Sequence, residues 1–224
     1  MRLIFLFLFA FLIGCGNNSS SSTSKGIIVP AYFDDASLWD KLINSSNNNN
    51  NMIIIANPNN GPGNEIDDFY LNNLNNLQNK KPIGYIYTKW GDRNISEVEN
   101  DIDKWIKFYP IKGFFVDESA TNEGNLSYYT TLYNYIKSKG NYYIVLNPGT
   151  MPNEKYFEIA DNIVIFEDDI KNLNIKCSQK SSIIAYNASQ QQMQEVLQNY
   201  NCDYFYITDK MYDELPSYFD KESK

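Results

Sequence analysis

Two stretches of this 224-residue chain place acidic residues directly after runs that read as buried strands. In GFFVDES, residues 113–119, Asp117 and Glu118 follow two phenylalanines and a valine. In NIVIFED, residues 162–168, Glu167 and Asp168 follow an equally apolar run. Because acidic side chains are seldom fully buried, each pair marks where a core strand reaches the surface. Paired carboxylates can transfer protons and attack carbon, which is the equipment for cleaving glycosidic bonds.

The composition restricts the chemistry, because the chain contains no histidine. A Ser-His-Asp triad, a Cys-His dyad and a His-ligated zinc site are therefore excluded. Proton transfers must run mainly on Asp, Glu, Tyr or Lys, and we expect no metal and no cofactor. A metal-dependent polysaccharide deacetylase is disfavoured, since its usual site needs histidines. The formal net charge of −8 argues against a nucleic-acid partner and predicts no attraction to anionic lipids.

Eight apolar, β-rich runs alternate with segments of helical spacing, and these elements must position the acids. Continuous apolar runs are typical of parallel strands covered on both faces. The pattern predicts a compact, single-domain (β/α)₈ TIM barrel over residues 26–224, with little room for a sixth helix; a doubly wound open sheet is the alternative. The predicted strands are 26–33, 52–58, 81–88, 113–119, 142–149, 162–168, 181–187 and 203–209.

Each predicted strand ends in residues that can hydrogen-bond or ionise, and in a barrel these ends converge on one rim. We expect Asp117, Glu118 and Glu167 to be catalytic, because strands four and six are close enough to flank one substrate. Adjacent strand residues point to opposite sides, so only one of Asp117 and Glu118 should face Glu167. The candidate substrate contacts are Tyr32, Asp34, Asn57, Asn59, Tyr87, Trp90, Asn147 and Asp209.

Some of these rim residues have simpler explanations. Asp34, Asp168 and Asp209 could each cap the following helix. Trp90 lies in a polar stretch, TKWGDR, where its ring could stack on a sugar or pack on a neighbouring loop. The sequence leaves these alternatives open.

The first 25 residues predict attachment to a membrane. Arg2 and the apolar residues 3–13 form a signal sequence too short to span a bilayer comfortably. Leu12-Ile13-Gly14-Cys15 is similar to a bacterial lipobox, so we expect removal of residues 1–14, lipidation of Cys15 and a polar tether over residues 15–25. An ordinary signal peptide is the alternative. The predicted location is the bacterial cell envelope, on the periplasmic or extracellular face, with the lipid as the sole membrane contact.

Two cysteines remain in the predicted domain, Cys177 and Cys202. Disulfides persist in the compartments outside the cytoplasm, so the two cysteines could pair. Two buried free thiols are the alternative.

The chain resembles the spherulin-4-like proteins (spherulation-specific family 4) over about residues 26–220. NPNNGPG and FFVDES together are the most specific part of the resemblance. The matching stretches are VPAYF (29–33), IIIANPNNGPG (53–63), PIGYIYTKWGDR (82–93), DIDKWIKFYPIKGFFVDES (101–119), YYTTLYNYIKSKG (128–140), LNPGT (146–150), IVIFED (163–168) and LPSYF (215–219).

This resemblance implies a (β/α)₈ glycoside hydrolase. Characterised members are similar to endo-acting hydrolases of exopolysaccharides rich in α-1,4-linked N-acetylgalactosamine, and their proposed catalytic acids correspond to Asp117, Glu118 and Glu167. It therefore implies a polysaccharide substrate, a role in biofilm polysaccharide degradation and no cofactor; we also expect a monomer. The alternatives are a sugar-binding lipoprotein that has lost activity and a structural envelope protein whose rim contacts a partner.

Overall fold

The computed structural model describes residues 25–45 and 51–222. The predicted signal sequence, Cys15 and all of the tether except Lys25 lie outside the described residues, so lipidation stays a prediction. Among the helices that are described, none is both long and apolar enough to cross a bilayer.

Eight parallel strands close into one barrel, with each strand paired to the next and the last paired to the first. This confirms the TIM barrel and excludes the open sheet. The strands begin within one residue of the predicted positions and end up to two residues earlier, except the sixth, which runs one residue further. Their bounds are β1 Gly26–Ala31, β2 Met52–Ala56, β3 Lys81–Tyr87, β4 Gly113–Asp117, β5 Tyr143–Asn147, β6 Asn162–Asp169, β7 Ser181–Tyr186 and β8 Tyr204–Ile207.

Helices cover the barrel, but not after every strand. The connections that follow β5 and β6 contain only short 3₁₀ turns, Glu154–Glu158 and Ile170–Asn172. The sequence leaves little room for a helix after the sixth strand, and the structure shows a second such gap after the fifth. The helices are α1 Ala36–Asn44, α2 Asp68–Asn75, α3 Ile95–Phe108, α4 Leu126–Lys139, α5 Gln190–Asn199 and α6 Phe219–Glu222.

The helix caps decide two of the alternatives that the sequence leaves open. Asp35, not Asp34, caps α1 by accepting a hydrogen bond from the Ser37 backbone N–H at 2.7 Å. Asp169, not Asp168, caps the 3₁₀ turn after β6. In both places the cap is the second of two adjacent aspartates.

One close contact between helix and strand positions β3 for the site. Gly84 leaves room for the Trp105 indole of α3, since a Cβ atom at Gly84 would lie 2.5 Å from that ring. The Trp105 indole N–H donates to the Tyr85 backbone oxygen at 2.8 Å. The outer face of β3 is thus fixed, and the Tyr85 side chain on the opposite face reaches the barrel interior.

The two cysteines are joined at the strand-start end of the barrel. Cys177 precedes β7 and Cys202 precedes β8, and they form a disulfide with Cα atoms 5.0 Å apart. This bond links the two segments that enter adjacent strands, so it lies at the end of the barrel opposite the acids.

Candidate active site

A continuous set of hydrogen bonds crosses the rim from β3 to the loop after β8. The Tyr85 hydroxyl donates to Asp117 Oδ2 at 2.7 Å, and Asn147 Nδ2 donates to Asp117 Oδ1 at 2.7 Å. The same Asn147 nitrogen donates to Glu167 Oε2 at 2.5 Å, and the Tyr212 hydroxyl donates to Glu167 Oε1 at 2.9 Å. Asp117 is therefore the acid that is joined to Glu167, and Asn147 is their link.

Burial disfavours the ionised form of the Glu167 carboxyl group. Loss of solvent raises the pKa of its carboxyl group above the ordinary value, and the negative charge of Asp117 adds to that rise. The hydrogen bonds from Asn147 and Tyr212 oppose the rise without cancelling it. Since each carboxylate has an oxygen bonded to one shared nitrogen, those two oxygens lie within about 5 Å of each other. At this distance the charge of Asp117 disfavours the ionised form of Glu167.

Glu118 occupies a different wall of the site because the backbone turns sharply there. Its φ of 50° ends β4 and takes the chain off the strand. The turn is fixed by three bonds to the Glu118 backbone oxygen, from the Trp90 N–H at 2.7 Å, the Thr88 hydroxyl at 2.9 Å and the Tyr129 hydroxyl at 3.4 Å. Within the described chain, the Glu118 carboxylate itself accepts no hydrogen bond, so it is available to a ligand.

A cleft of about 490 Å³ opens in front of this carboxylate. Tyr85 connects the two walls, because its hydroxyl donates to Asp117 and its side chain lines the cleft beside Glu118. Burial, and then the charges of Asp117, Glu118 and Glu167, raise the pKa of that hydroxyl. All three acids thus act on one hydroxyl and belong to one site. The cleft is lined by Asn60, Tyr85, Tyr87, Lys89, Trp90, Asp92 and Glu118.

Trp90 stands at this cleft on a strained backbone. Lys89, Trp90 and Gly91 have consecutive φ values of 49°, 54° and 92°, and a left-handed conformation costs a residue with a side chain about 1–2 kcal/mol. The Trp90 N–H is bonded to Glu118, and the Asn125 side-chain amide donates to the Trp90 backbone oxygen. The indole is 58% exposed, so it is not packed away under a neighbouring loop. The fold holds an aromatic face beside a free carboxylate.

Two further tyrosines complete the site: Tyr32 on the side of Asp117 and Glu167, and Tyr87 in the lining of the cleft. Tyr32 is partly buried, with its ring edge-to-face against Tyr85 at 5.8 Å and Tyr212 at 6.4 Å. Burial and the neighbouring Asp117 raise its pKa, so the hydroxyl keeps its proton. Tyr87 lies under the Arg93 guanidinium, 4.2 Å from the ring centre, and Arg93 pairs with Asp101 at 2.6 Å.

Four predicted contact residues are placed elsewhere or are used internally. Asn57 Oδ1 accepts from the Gly61 N–H at 2.8 Å and so shapes the NPNNGPG loop. Asp209 accepts from the Ser217 N–H and hydroxyl at 2.9 and 2.7 Å, which fixes the loop after β8. Asn59 lines a shallower depression next to the cleft, and Asp34 is exposed at the rim. A direct substrate contact is therefore not supported for Asn57 and Asp209, whose side chains already hold the backbone.

Three site residues were absent from the predicted set. Tyr85 shares its strand face with Tyr87, two residues on, and this period of two was the available signal. Asn60 lines the cleft, where its backbone has a left-handed φ of 48°, and no pattern in the sequence predicts that angle. Tyr212 arrives from the long segment after β8, and no local pattern marks it.

Neither metal chemistry nor cavity size locates this site. Across residues 25–45 and 51–222, no group of three or more Cys, Asp and Glu side chains is arranged to hold a metal ion. A larger cavity, of about 650 Å³, opens at the strand-start end of the barrel and contains none of the predicted catalytic acids. The carboxylates and their aromatic wall identify the rim, in agreement with the usual position of active sites in this fold.

The fold and site define a class of protein: a TIM barrel with a histidine-free carboxylate cleft at its C-terminal rim. The chain belongs to spherulation-specific family 4, whose model matches residues 26–224. It is 38% identical over 167 residues to Spherulin-4 of Physarum polycephalum, a match that spans 70% of this chain and 50% of that protein. Among solved structures it is similar to Aspergillus clavatus Sph3 in complex with GalNAc. The TM-score is 0.77 at 22% identity, over 89% of this chain and 96% of the other, which shows a shared fold.

Proposed function

We propose that this protein is a glycoside hydrolase that cleaves within an N-acetylgalactosamine-containing polysaccharide. The observation that carries the proposal is the carboxylate arrangement: Glu167 and Asp117 share one amide, while Glu118 faces an open aromatic cleft. The GalNAc complex of the similar fold, Sph3, supports an amino sugar as the ligand class.

Glu167 is assigned the role of proton donor to the leaving oxygen. A general acid must hold its proton near neutral pH, which requires a raised pKa. Burial raises the pKa of Glu167, and the charge of Asp117 supports that rise. Asp117, fixed by Tyr85 and Asn147, keeps this charge in place and acts through Glu167.

Glu118 is assigned the role of the second carboxylate, which attacks the anomeric carbon or activates water. Its side chain lines the cleft beside Trp90 and Tyr87, so a sugar stacked on these rings would meet it. The carboxyl separation distinguishes the two mechanisms, since about 5–5.5 Å gives retention and about 6.5–9.5 Å gives inversion. The anomer formed first, followed by NMR, reports which one operates.

The cellular location follows from the sequence rather than from the described residues. We propose a lipid anchor at Cys15, on the basis of the LIGC motif and the polar segment after it. The enzyme would then act in the cell envelope as a tethered domain. Metabolic labelling with a fatty-acid analogue tests this point, since a Cys15→Ser variant should lose the label.

Two isosteric variants test the hydrolase proposal. We expect Glu118→Gln and Glu167→Gln to reduce oligosaccharide release from α-1,4-linked galactosaminoglycan by about 10³-fold or more, because each removes a group that reacts. Binding of the polymer, measured by affinity electrophoresis, should stay close to wild type. Glu123→Gln is the matched control: it lies in the same loop as Glu118, is exposed, and pairs with Lys155 instead of facing the cleft.

The main competing function is a sugar-binding protein without activity. In that case the wild-type protein would release no oligosaccharide from any acetylated or partly deacetylated amino-sugar polymer, and both variants would bind as the wild type does. A structural role would give neither release nor binding. Each outcome contradicts the proposed hydrolysis.

A further inference from the structure

The end of the barrel opposite the acids carries a concentration of lysines. This basal face is formed by the segments that precede the strands and by the C-terminal ends of the helices. Its acidic residues include Asp103, Asp161 and Asp203, and the first two pair with lysines of α4. Besides Lys137, which pairs with Asp161 at 2.9 Å, the basal lysines include Lys25, Lys80, Lys81, Lys112, Lys139 and Lys180.

Five of these six lysines have no carboxylate partner in the described part of the chain. Lys139 is the exception, since it pairs with Asp103 at 2.6 Å. Lys25 and Lys80 donate to backbone carbonyls at the ends of α5 and α1, and Lys180 donates to the Phe157 and Ala160 carbonyls. These bonds satisfy donors but do not bring a carboxylate within salt-bridge distance of the ammonium groups. The basal face therefore presents positive charge on a chain of net charge −8.

A pocket of about 530 Å³ lies within this face and brings three of the lysines together, with one acid, Asp161, also in its lining. Lys81 and Lys112 are neighbours there. Lys81 Nζ lies 3.8 Å from the centre of the Tyr143 ring, and Lys112 donates to the Lys80 carbonyl at 2.8 Å. Burial lowers the pKa of Lys81; Asp161 opposes that shift, while the positive charge of Lys112 adds to it. Two positive charges that face one pocket repel each other, and an anion bound between them offsets that repulsion.

The same face is where the N-terminal segment joins the domain. Lys25 directly precedes β1, so the 24 residues before it connect to the barrel at the strand-start end. The catalytic cleft lies at the strand ends and faces the other way.

We propose that the basal face docks on an anionic phospholipid surface, with headgroup phosphates bound between Lys81 and Lys112. Lysines near such a surface each contribute an attraction that is screened within a Debye length. Docking would hold the barrel upright on its membrane, with the acidic cleft pointing toward polymer outside it. This goes beyond hydrolysis and would stand for a non-catalytic sugar-binding protein as well.

A purely structural role predicts something different for these lysines. Lysines that only neutralise the C-terminal ends of helices contribute to stability, whatever surface is nearby. Lys81 and Lys112 separate the two explanations, because neither donates to the last turn of a helix. Their removal should change lipid preference more than folding.

Amine footprinting on full-length protein tests the docking. Protein bound through its N-terminal segment to vesicles of phosphatidylcholine, or of phosphatidylcholine with phosphatidylglycerol, is acetylated and analysed by mass spectrometry. We expect Lys81 and Lys112 to react several-fold more slowly on the anionic vesicles, and high salt to remove the difference. Lys104 and Lys155, which lie toward the rim end, should react equally on both. Equal labelling of Lys81 and Lys112 on the two vesicle types would overturn the proposal.

A charge variant supplies the second test. In the unlipidated Cys15→Ser chain, Lys81→Gln with Lys112→Gln should lower the preference for anionic vesicles by about thirtyfold, at about 1 kcal/mol for each of the two lysines. The matched control is Lys104→Gln with Lys155→Gln, which removes the same charge from the other end. A folded double variant that keeps the wild-type preference, or a control that loses it equally, would contradict the docking. Thermal unfolding confirms that each variant is folded.

Discussion

The two ends of the barrel differ in charge and in the groups that they present to solvent. At the rim, acids, exposed aromatic surface and left-handed backbone at Glu118, Lys89 and Trp90 are concentrated around one cleft. At the basal face, lysines donate to backbone carbonyls and a disulfide joins the entries to two strands. At the rim, the strained backbone and the exposed aromatic surface cost folding free energy. At the basal face, the lysines donate to backbone carbonyls that would otherwise lack a partner.

This difference shows why a net charge describes such a molecule poorly. The value of −8 is a sum over the whole chain, in which the acidic rim and the lysine-rich basal face partly offset each other. The net charge alone predicts no attraction to anionic lipids. The positions of the lysines on the basal face lead to the docking proposed above. The difference between the two ends also predicts that variants at the rim change catalysis, whereas variants at the basal face change stability or membrane contact.

Asp117→Asn should produce the largest effect of the substitutions that act indirectly. We expect kcat/KM to fall by about 10²–10³-fold, because the fixed charge beside Glu167 is lost. Without that charge the pKa of Glu167 falls, so the general acid loses its proton at lower pH. The alkaline limb of the pH profile of kcat/KM should therefore move to lower pH. Asp168→Asn is the control, since that carboxylate contacts Asn172 and Tyr186 outside the cleft. An unmoved alkaline limb would show that Asp117 does not tune Glu167.

Glu222 provides a buried acid at which no catalysis is expected. Burial raises the pKa of its carboxyl group to about 8, and its only bond among the described residues is from the Ile207 N–H at 2.6 Å. The unfolded chain releases this proton near pH 4.5, so stability is lost as pH rises from there to about 8. At about 1.4 kcal/mol per pKa unit, the loss is about 5 kcal/mol.

Urea unfolding between pH 5 and pH 9 measures this loss. The Glu222→Gln variant should have a flatter stability profile than the wild type and should be the more stable protein above pH 8. Exposed Glu214→Gln should leave the profile unchanged. Parallel profiles for wild type and Glu222→Gln would contradict the assignment.

Removing the disulfide should affect the base and leave the rim alone. The bond joins residues 25 apart, which corresponds to about 3 kcal/mol in the chain-entropy account. We expect Cys177→Ser with Cys202→Ser to lower the free energy of unfolding by about that amount while kcat at 25 °C stays within about twofold. A large loss of activity in the folded variant would mean that the two ends are coupled.

Trp90→Ala should give the smallest of these effects. Loss of one stacking face is expected to raise KM by about tenfold with little change in kcat, since stacking holds the sugar without taking part in bond cleavage. Met211→Ala is the control: its side chain is 73% exposed and it does not line the cleft. Equal effects of the two substitutions would remove Trp90 from the substrate site.

Much of the fold could be predicted because strand pattern and barrel closure are simple physical signals. Continuous apolar runs marked all eight strands, and the acids after FFV and VIF marked the rim. The capping aspartates were missed by one residue, because a strand end is not fixed by composition. The absent helix after β5 was missed because its segment, 148–161, has a normal length for a loop and a helix together.

The candidate site was harder to predict, because its geometry depends on backbone angles and on distant segments. Alternation along a strand would send Glu118 toward the surrounding helices; the left-handed turn, fixed by Trp90 and Thr88, returns it to the cleft. Tyr212 contacts Glu167 across 45 positions of sequence, and no local pattern carries that information. Asn57 and Asp209 show the reverse case, in which polar residues at strand ends serve the loops.

Hydrolysis in ¹⁸O-labelled water tests the central claim most directly. Wild-type protein and Glu167→Gln are incubated with α-1,4-linked galactosaminoglycan, and the products are analysed by mass spectrometry. We expect the wild type to release oligosaccharides that each carry one ¹⁸O atom at the new reducing end, and the variant to release almost none. Wild-type protein that binds the polymer and yields no labelled oligosaccharide would contradict the proposed glycosidase.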